Sequence, residues 1–206
     1  MTMKRLLLPA ALLLLMAPGG CIFSPDEGGD LPPEPKVTIP FAGTEDQLMR
    51  NFRTAYEEMD FNAYEDILHP DFITILQPDT QQDFPDVGPT LDVAEELRIA
   101  RRMFDGLPVN DPDGLLVPGI SSISFQTYEQ QGTWATSQPN DVIPNARFAL
   151  FDVTFLFYRP GYSTLKVNGQ IKFYVAGRDS FYNGANRTYW QMIGQQDLTD
   201  AGPGTL

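Results

Sequence analysis

One cysteine and one histidine, Cys21 and His69, are the chain's whole supply of the two side chains most used to bind transition metals, in 206 residues. A zinc site needs a cluster of them, so no metal centre is expected. A lone thiol closes no internal disulfide, and a single histidine with no nucleophile motif beside it leaves most catalytic triads unbuildable. Positive charge is scarce too. Fourteen Lys and Arg face 27 Asp and Glu, giving a formal charge of −13 and a pI near 4.3. Such a chain repels phosphate backbones, which argues against sequence-independent nucleic-acid binding. There is no internal repeat and no apolar run long enough to span a bilayer. Hydrophobic residues nevertheless make up 42% and aromatics 12%, enough for a packed core.

The longest apolar run is Leu6 to Ala17, preceded by Lys4 and Arg5 and broken only by Pro9. As a helix it reaches roughly 18 Å, well short of a ~30 Å hydrocarbon core, and reads as the apolar segment of an export signal. It ends in Pro18, Gly19, Gly20 and Cys21. Small residues just before a lone cysteine resemble the lipobox of bacterial lipoproteins, with Pro18 where that family usually has an aliphatic residue. The resemblance implies that residues 1–20 are removed and that Cys21 carries a diacylglycerol and an acylated (palmitate-type) amino terminus. Two or three acyl chains would hold the protein stably on a membrane. Ile22 follows where retention at the inner membrane would favour Asp, so the resemblance implies a bacterial cell-envelope address at the outer membrane, facing the periplasm or the surface. Removing residues 1–20 deletes two positive charges and no negative ones, taking the formal charge from −13 to −15.

Between Pro18 and Gly43 lie eleven of the chain's Pro and Gly residues, with Asp26, Glu27, Asp30 and Glu34 among them. Residues 21–43 therefore read as an extended, solvated tether. Residues 44–200 read as one domain and 201–206 as a flexible tail. Thr44 and Gln47 fit a capping box. Leu48, Phe52, Ala55, Tyr56 and Met59 recur at helical spacing over 45–59, and Phe61, Tyr64, Ile67 and Leu68 mark a short second helix closed by His69-Pro70. Phe72 to Leu76 predicts a strand, and 77–89 a turn-rich loop. A third helix opens at Thr90 with the apolar line Val93, Leu97, Ala100 and Phe104, and ends at Gly106. After Pro118 the period changes to two. Strands are expected over 121–137 and over 146–159, where Ala149, Phe151, Val153, Phe155 and Phe157 share a face. Two more are expected over 164–176 and 188–198, the last with Trp190 and Met192 on one face. Pro160-Gly161 makes a hairpin turn, and Arg178-Asp179 a second, solvated turn. Helices first and antiparallel strands later is an α+β order.

That order, together with Phe52-Arg53-Thr54-Ala55-Tyr56, Asp60, Tyr64 and Leu68-His69-Pro70-Asp71-Phe72, resembles the nuclear transport factor 2-like superfamily (SnoaL-like and cystatin-like cone folds) over residues 44–198. The resemblance implies three N-terminal helices packed in a strongly curved antiparallel sheet, with a conical cavity at its open end. The superfamily holds isomerases, dehydratases, cyclases and members without chemistry, so the fold alone does not choose among them.

Ketosteroid-isomerase-type members place a tyrosine and an aspartate base at positions that fall here on Phe52 and Leu76, which can neither donate an oxyanion hydrogen bond nor accept a proton. No Asp or Glu lies between Phe72 and Gln77. Two weak acid/base candidates are left. His69 sits where an imidazole would bond the last carbonyls of the second helix. Asp152 lies opposite the Phe151/Phe155 row and enters the cone only if the strand register is reversed. Asp111-Pro112-Asp113-Gly114 echoes a calcium loop, but the echo puts Val109 and Ile120 at ligand positions; a proline-aspartate turn accounts for it better. Arg98, Arg101 and Arg102, partly matched by Glu95 and Glu96, read as a solvated helix face. Phe52, Tyr56, Phe151, Phe155, Phe173 and Trp190 either line an apolar pocket or fill the core. The expectation is a lipid-anchored envelope protein, without a cofactor, whose cone binds a partner or a small apolar ligand and does no chemistry. The alternative is a cofactor-free dehydratase, isomerase or polyketide cyclase using His69 or Asp152. A third reading is an assembly protein that forms a homodimer through the outer sheet face.

Overall fold

The computed structural model describes residues 38–77, 88–110 and 114–198. Two helices, α1 (Glu45–Glu57) and α2 (Phe61–Ile67), lead into strand β1 (Leu68–Ile75). A three-residue strand β2 (Thr90–Asp92) then runs directly into helix α3 (Val93–Phe104). The short β3 (Val109–Asn110) and β4 (Leu116–Val117) pair only with each other. Four long strands complete the body: β5 (Ser122–Thr136), β6 (Arg147–Tyr158), β7 (Leu165–Tyr182) and β8 (Ala185–Asp197). The main sheet has the order β2-β1-β8-β7-β6-β5. It is mixed rather than antiparallel, because β1 and β8 run parallel, Leu68 opposite Met192 and Ile75 opposite Gln196. The first strand leaves an open edge that only the last strand of the chain fills.

Local sequence explains each boundary. Thr44 caps α1 by accepting the Gln47 N–H at 3.1 Å. The Gln47 side chain does not close the box, and reaches Asn51 Oδ1 at 2.8 Å instead. The helix stops two residues early because Met59 adopts a left-handed φ of 51°. Asp60 then caps α2 through the Ala63 N–H. The third helix begins at Val93, not Thr90. Asp92 and Glu95 form the reciprocal capping box there, while Thr90 and Leu91 have been drawn into the edge strand. The expected strand 72–76 starts earlier, at Leu68. The segment that carries Asp111 to Asp113 lies outside the described residues, but Val109 and Val117 pair across it. Packing also starts ahead of Thr44. Ala42 is fully buried, Ile39 lies against the core, and Pro40 O accepts from Asn51 Nδ2 at 2.7 Å. Cys21 and the signal fall outside the described residues. Among the described residues no helix is long and apolar enough to cross a membrane.

Register irregularities at Phe125/Thr127 and Gln131/Ala135 in the β5–β6 ladder, and at Tyr174/Val175 against β8, bend the sheet around the helices. α1 lies in the hollow, tied along its length. Asp46 accepts from Trp134 Nε1 at 2.8 Å, Glu45 pairs with Arg147 at 3.1 Å, Met49 O accepts from the Tyr128 hydroxyl, and Glu57 accepts from the Phe125 N–H. The inward row Ala149, Phe151, Val153, Phe155 and Phe157 is buried. On the outer face the 137–146 loop folds back over the sheet. Ile143 and Ala146 pack there on Tyr174, and Asp141 receives Lys172 Nζ at 2.8 Å and the Tyr174 hydroxyl at 2.7 Å. Part of the face assigned to a homodimer contact is therefore covered by the chain's own loop. The expected turn at Arg178-Asp179 is instead mid-strand, paired with Tyr189 and Thr188. The chain reverses at Asn183-Gly184, with φ of 50° and 77°.

Phe173 is fully buried at the centre of this arrangement. Phe173→Ala is expected to cost about 3–5 kcal/mol, the range for deleting a core phenylalanine. Urea unfolding will read it as a lower midpoint with an unchanged slope.

Candidate functional site

The six pocket-lining candidates do come together. Phe52, Tyr56, Phe151, Phe155 and Phe173 are buried in one cluster, with Trp190 half-buried against it. Phe52 lies 4.7 Å from Tyr56, 5.2 Å from Phe173 and 6.2 Å from Tyr64, Phe125 and Tyr128, centroid to centroid. Phe104 reaches Tyr56 from α3 at 5.2 Å, and Phe125 reaches Phe155 at 4.6 Å. The rings meet at edge-to-face and tilted angles, with Phe52 and Tyr128 stacked at 21°, arrangements that aromatic quadrupoles accommodate.

Neither acid/base candidate joins them. His69 stands at the start of β1, and its Nδ1 accepts the Asp71 N–H at 3.1 Å instead of meeting the carbonyls of α2. Those carbonyls are taken from the other side. Gln191 Nε2 donates to Asp66 O at 3.1 Å and Leu68 O at 2.9 Å, and the Tyr189 hydroxyl donates to Asp66 O. Asp152 faces away from the rings. Its oxygens accept from Gln131 Nε2 at 2.7 Å and Gln170 Nε2 at 3.0 Å, while its neighbour on that face, Thr154, donates to Asn168. The reversed register that would bring Asp152 inward is excluded by the burial of Phe151, Val153 and Phe155.

A different carboxylate is inside. Glu96 is 6% exposed and is the one buried carboxylate among the described residues. Its Oε1 accepts from the Tyr64 hydroxyl at 2.8 Å, and its Oε2 from Thr74 Oγ1 at 2.9 Å. Thr74 in turn accepts from Gln195 Nε2 at 3.2 Å. Glu96 thus accepts from Tyr64 on α2 and from Thr74 on β1, with Gln195 of β8 behind Thr74. Burial pushes the Glu96 carboxyl above its usual range, and the bonds from Tyr64 and Thr74 hold it partway down. Burial and the nearby carboxylate push both tyrosines up, so their phenols stay protonated.

This group was legible as a conflict of patterns. Glu96 falls three residues after Val93 and four before Ala100, inside the apolar stripe of α3. The buried stripe is Glu96, Ile99, Ala100, Met103 and Phe104, turned from the line through Leu97. Of the two glutamates set against the helix arginines, Glu95 turns back to cap the helix and Glu96 turns inward. Arg101 stacks on the Phe61 ring at 3.7 Å. Among the described residues no group of three or more His, Cys, Asp and Glu is placed to hold a metal ion.

No family model matches the chain. No curated protein matches it either. Solved structures do. A conserved protein from Planctomyces limnophilus is similar at 9% identity and TM-score 0.48, over 73% of this chain and 89% of that one. An NTF2-like protein of unknown function in nutrient uptake from Rhodospirillum rubrum is similar at 12% identity and TM-score 0.42, over 76% and 98%. ActVI-ORFA from Streptomyces coelicolor is similar at 8% identity and TM-score 0.44, over 74% and 92%.

Because the folded chain holds the Glu96 proton more tightly than the unfolded one, Glu96 favours the fold at low pH. That contribution falls away as pH rises through its raised pKa. Glu96→Gln removes the dependence. The difference in unfolding free energy between the two proteins, measured from pH 4 to pH 8, is expected to move in favour of the variant as pH rises. A flat difference would mean that Glu96 titrates as it does in the unfolded chain.

Proposed function

We propose that this protein is a lipid-anchored component of a bacterial cell envelope whose domain binds a partner or a small apolar molecule without catalysing a reaction. The anchor rests on the sequence: a short apolar export segment, small residues, then Cys21 as the single thiol of the chain. Ile22 favours the outer membrane. The absence of chemistry rests on one observation. The rings between α1 and the sheet pack on one another, and His69 and Asp152 lie outside that cluster. A ligand entering there has to displace side chains already in favourable contact.

A second reading has one observation in its favour. Glu96, with Tyr64 and Tyr56 behind it, is a buried acid of raised pKa, the type of group that dehydration and isomerisation use. On that reading Glu96, and neither His69 nor Asp152, carries the proton. Turnover of a hydrophobic carbonyl or hydroxy-carbonyl compound by the purified chain, lost in Glu96→Gln, would establish it and retire the non-catalytic reading.

The anchor is tested by expression in a bacterium fed labelled palmitate. The wild-type chain is expected to take up label and sediment with membranes, and Cys21→Ser to lose the label and appear in the soluble fraction. Equal labelling of the two, or none in either, would remove the lipoprotein assignment.

A further inference from the structure

The main sheet does not use the whole length of β7 and β8. The β6–β7 ladder ends with Arg147 opposite Val175, and the β1–β8 ladder ends with Leu68 opposite Met192. Residues 176–182 and 185–191 therefore pair as strands only with each other; Tyr189 and Trp190 lie against the core and Gln191 is buried, and residues 181–188 form the exposed end of this two-stranded ribbon. Such ribbons are marginal alone. This one is closed by Asn183-Gly184 and braced on one face by Phe41, whose ring stacks on Tyr182 at 4.1 Å and meets Tyr189 at 5.2 Å. Arg178 lies over Tyr189 on that same face. At the tip, Phe181 is 74% exposed and Tyr182 39%.

We infer that this ribbon tip is a contact site for a phospholipid surface. Three observations favour lipid over other occupants. The exposed groups are aromatics and arginines, which settle at the boundary between headgroups and acyl chains. The ribbon carries Arg178 and Arg187 against Asp179 alone, a local surplus of positive charge in a chain of formal charge −13, so it is a place where anionic headgroups are not repelled. Finally, the segment that leads back to Cys21 joins the fold at this point. Phe41 is the brace of the ribbon, and Ala42 O accepts from Trp190 N on β8. Sixteen residues separate Cys21 from Thr38, a reach of at most about 55 Å even when fully extended. This inference rests on the anchored reading above. A tethered contact becomes intramolecular, so a ribbon too weak to bind a membrane from solution still orients the domain on it.

The test uses the lipidated chain in vesicles of phosphatidylethanolamine and phosphatidylglycerol, with Phe181→Trp as reporter. Phe181 is exposed, so the substitution leaves the core untouched. Flotation reads the anchor, and quenching by lipids brominated on their acyl chains reads the ribbon. The expected result is that the protein floats, and that the emission added by Phe181→Trp shifts to the blue and is quenched by the brominated lipid. Charge reversal at Arg178 and Arg187 is expected to abolish that quenching without affecting flotation. Flotation without quenching overturns the lipid contact and leaves the anchor standing. A chain that does not float overturns both. A blue shift that depends on protein concentration and needs no vesicles assigns the tip to a second copy of the chain, and also overturns the inference.

Discussion

The ring of Phe52 is the point on which the structure turns. It projects from the middle of α1 and touches five other rings, two from the helical layer and three from the sheet. Burying one such side chain stabilises by about 1.5–3 kcal/mol, and well-angled ring pairs add roughly 0.5–1.5 kcal/mol each. A sheet bent by bulges needs something bulky inside it, or the concave face would be left hollow or wet. The phenylalanines and tyrosines supply that bulk. The same packing that holds helix to sheet thus decides whether the hollow is free for a ligand.

That fit is specific in direction as well as in volume. The carboxylates at the start of α1 meet Trp134 and Arg147, where β5 ends and β6 begins, and Glu57 at its far end meets the β5 bulge. The Glu57 carboxylate accepts the Phe125 N–H close to where the ladder loses register. Helix and sheet are therefore aligned by polar contacts at the rim, while the rings fill the middle. Buried polar groups away from the rim are also answered. Asn51 is held between Gln47 and Pro40, Ser137 bonds Ile143 and Ala146, and Gln191 closes the C-terminus of α2 through its Nε2, although its buried Oε1 has no partner.

What was legible in the sequence was what repeats. The period-two rows of β6 and β7 and the apolar line of α1 fix which face is buried, and the Pro160-Gly161 turn joins the right pair of strands. Less was legible where a single residue overrides a pattern. Asn183-Gly184 is a strong hairpin signal, yet the polar stretch from Arg178 to Arg187 reads as loop because no core face alternates through it. It stays a strand because the ribbon satisfies its own backbone and Phe41 packs upon it. The parallel pairing of β1 with β8 joins segments more than a hundred residues apart, beyond any local periodicity. Glu96 is the clearest case. A glutamate on a helix flanked by arginines suggests a solvated face, and only the positions of Tyr64 and Thr74, set by other elements, make burial of its charge tolerable.

Glu96 also sharpens the choice between binding and chemistry. A buried carboxylate left unpaired is destabilising, so its retention needs either full hydrogen bonding or a use for the proton. Here both oxygens are occupied, by donors from two different elements. A ligand that engaged Glu96 would have to break the bond from Tyr64 or from Thr74 and offer one at least as good, and would also have to part the rings around Tyr56. An inert polar brace requires neither. The convergence of donors therefore weighs toward Glu96 as the peg that fixes α3 against α2 and β1.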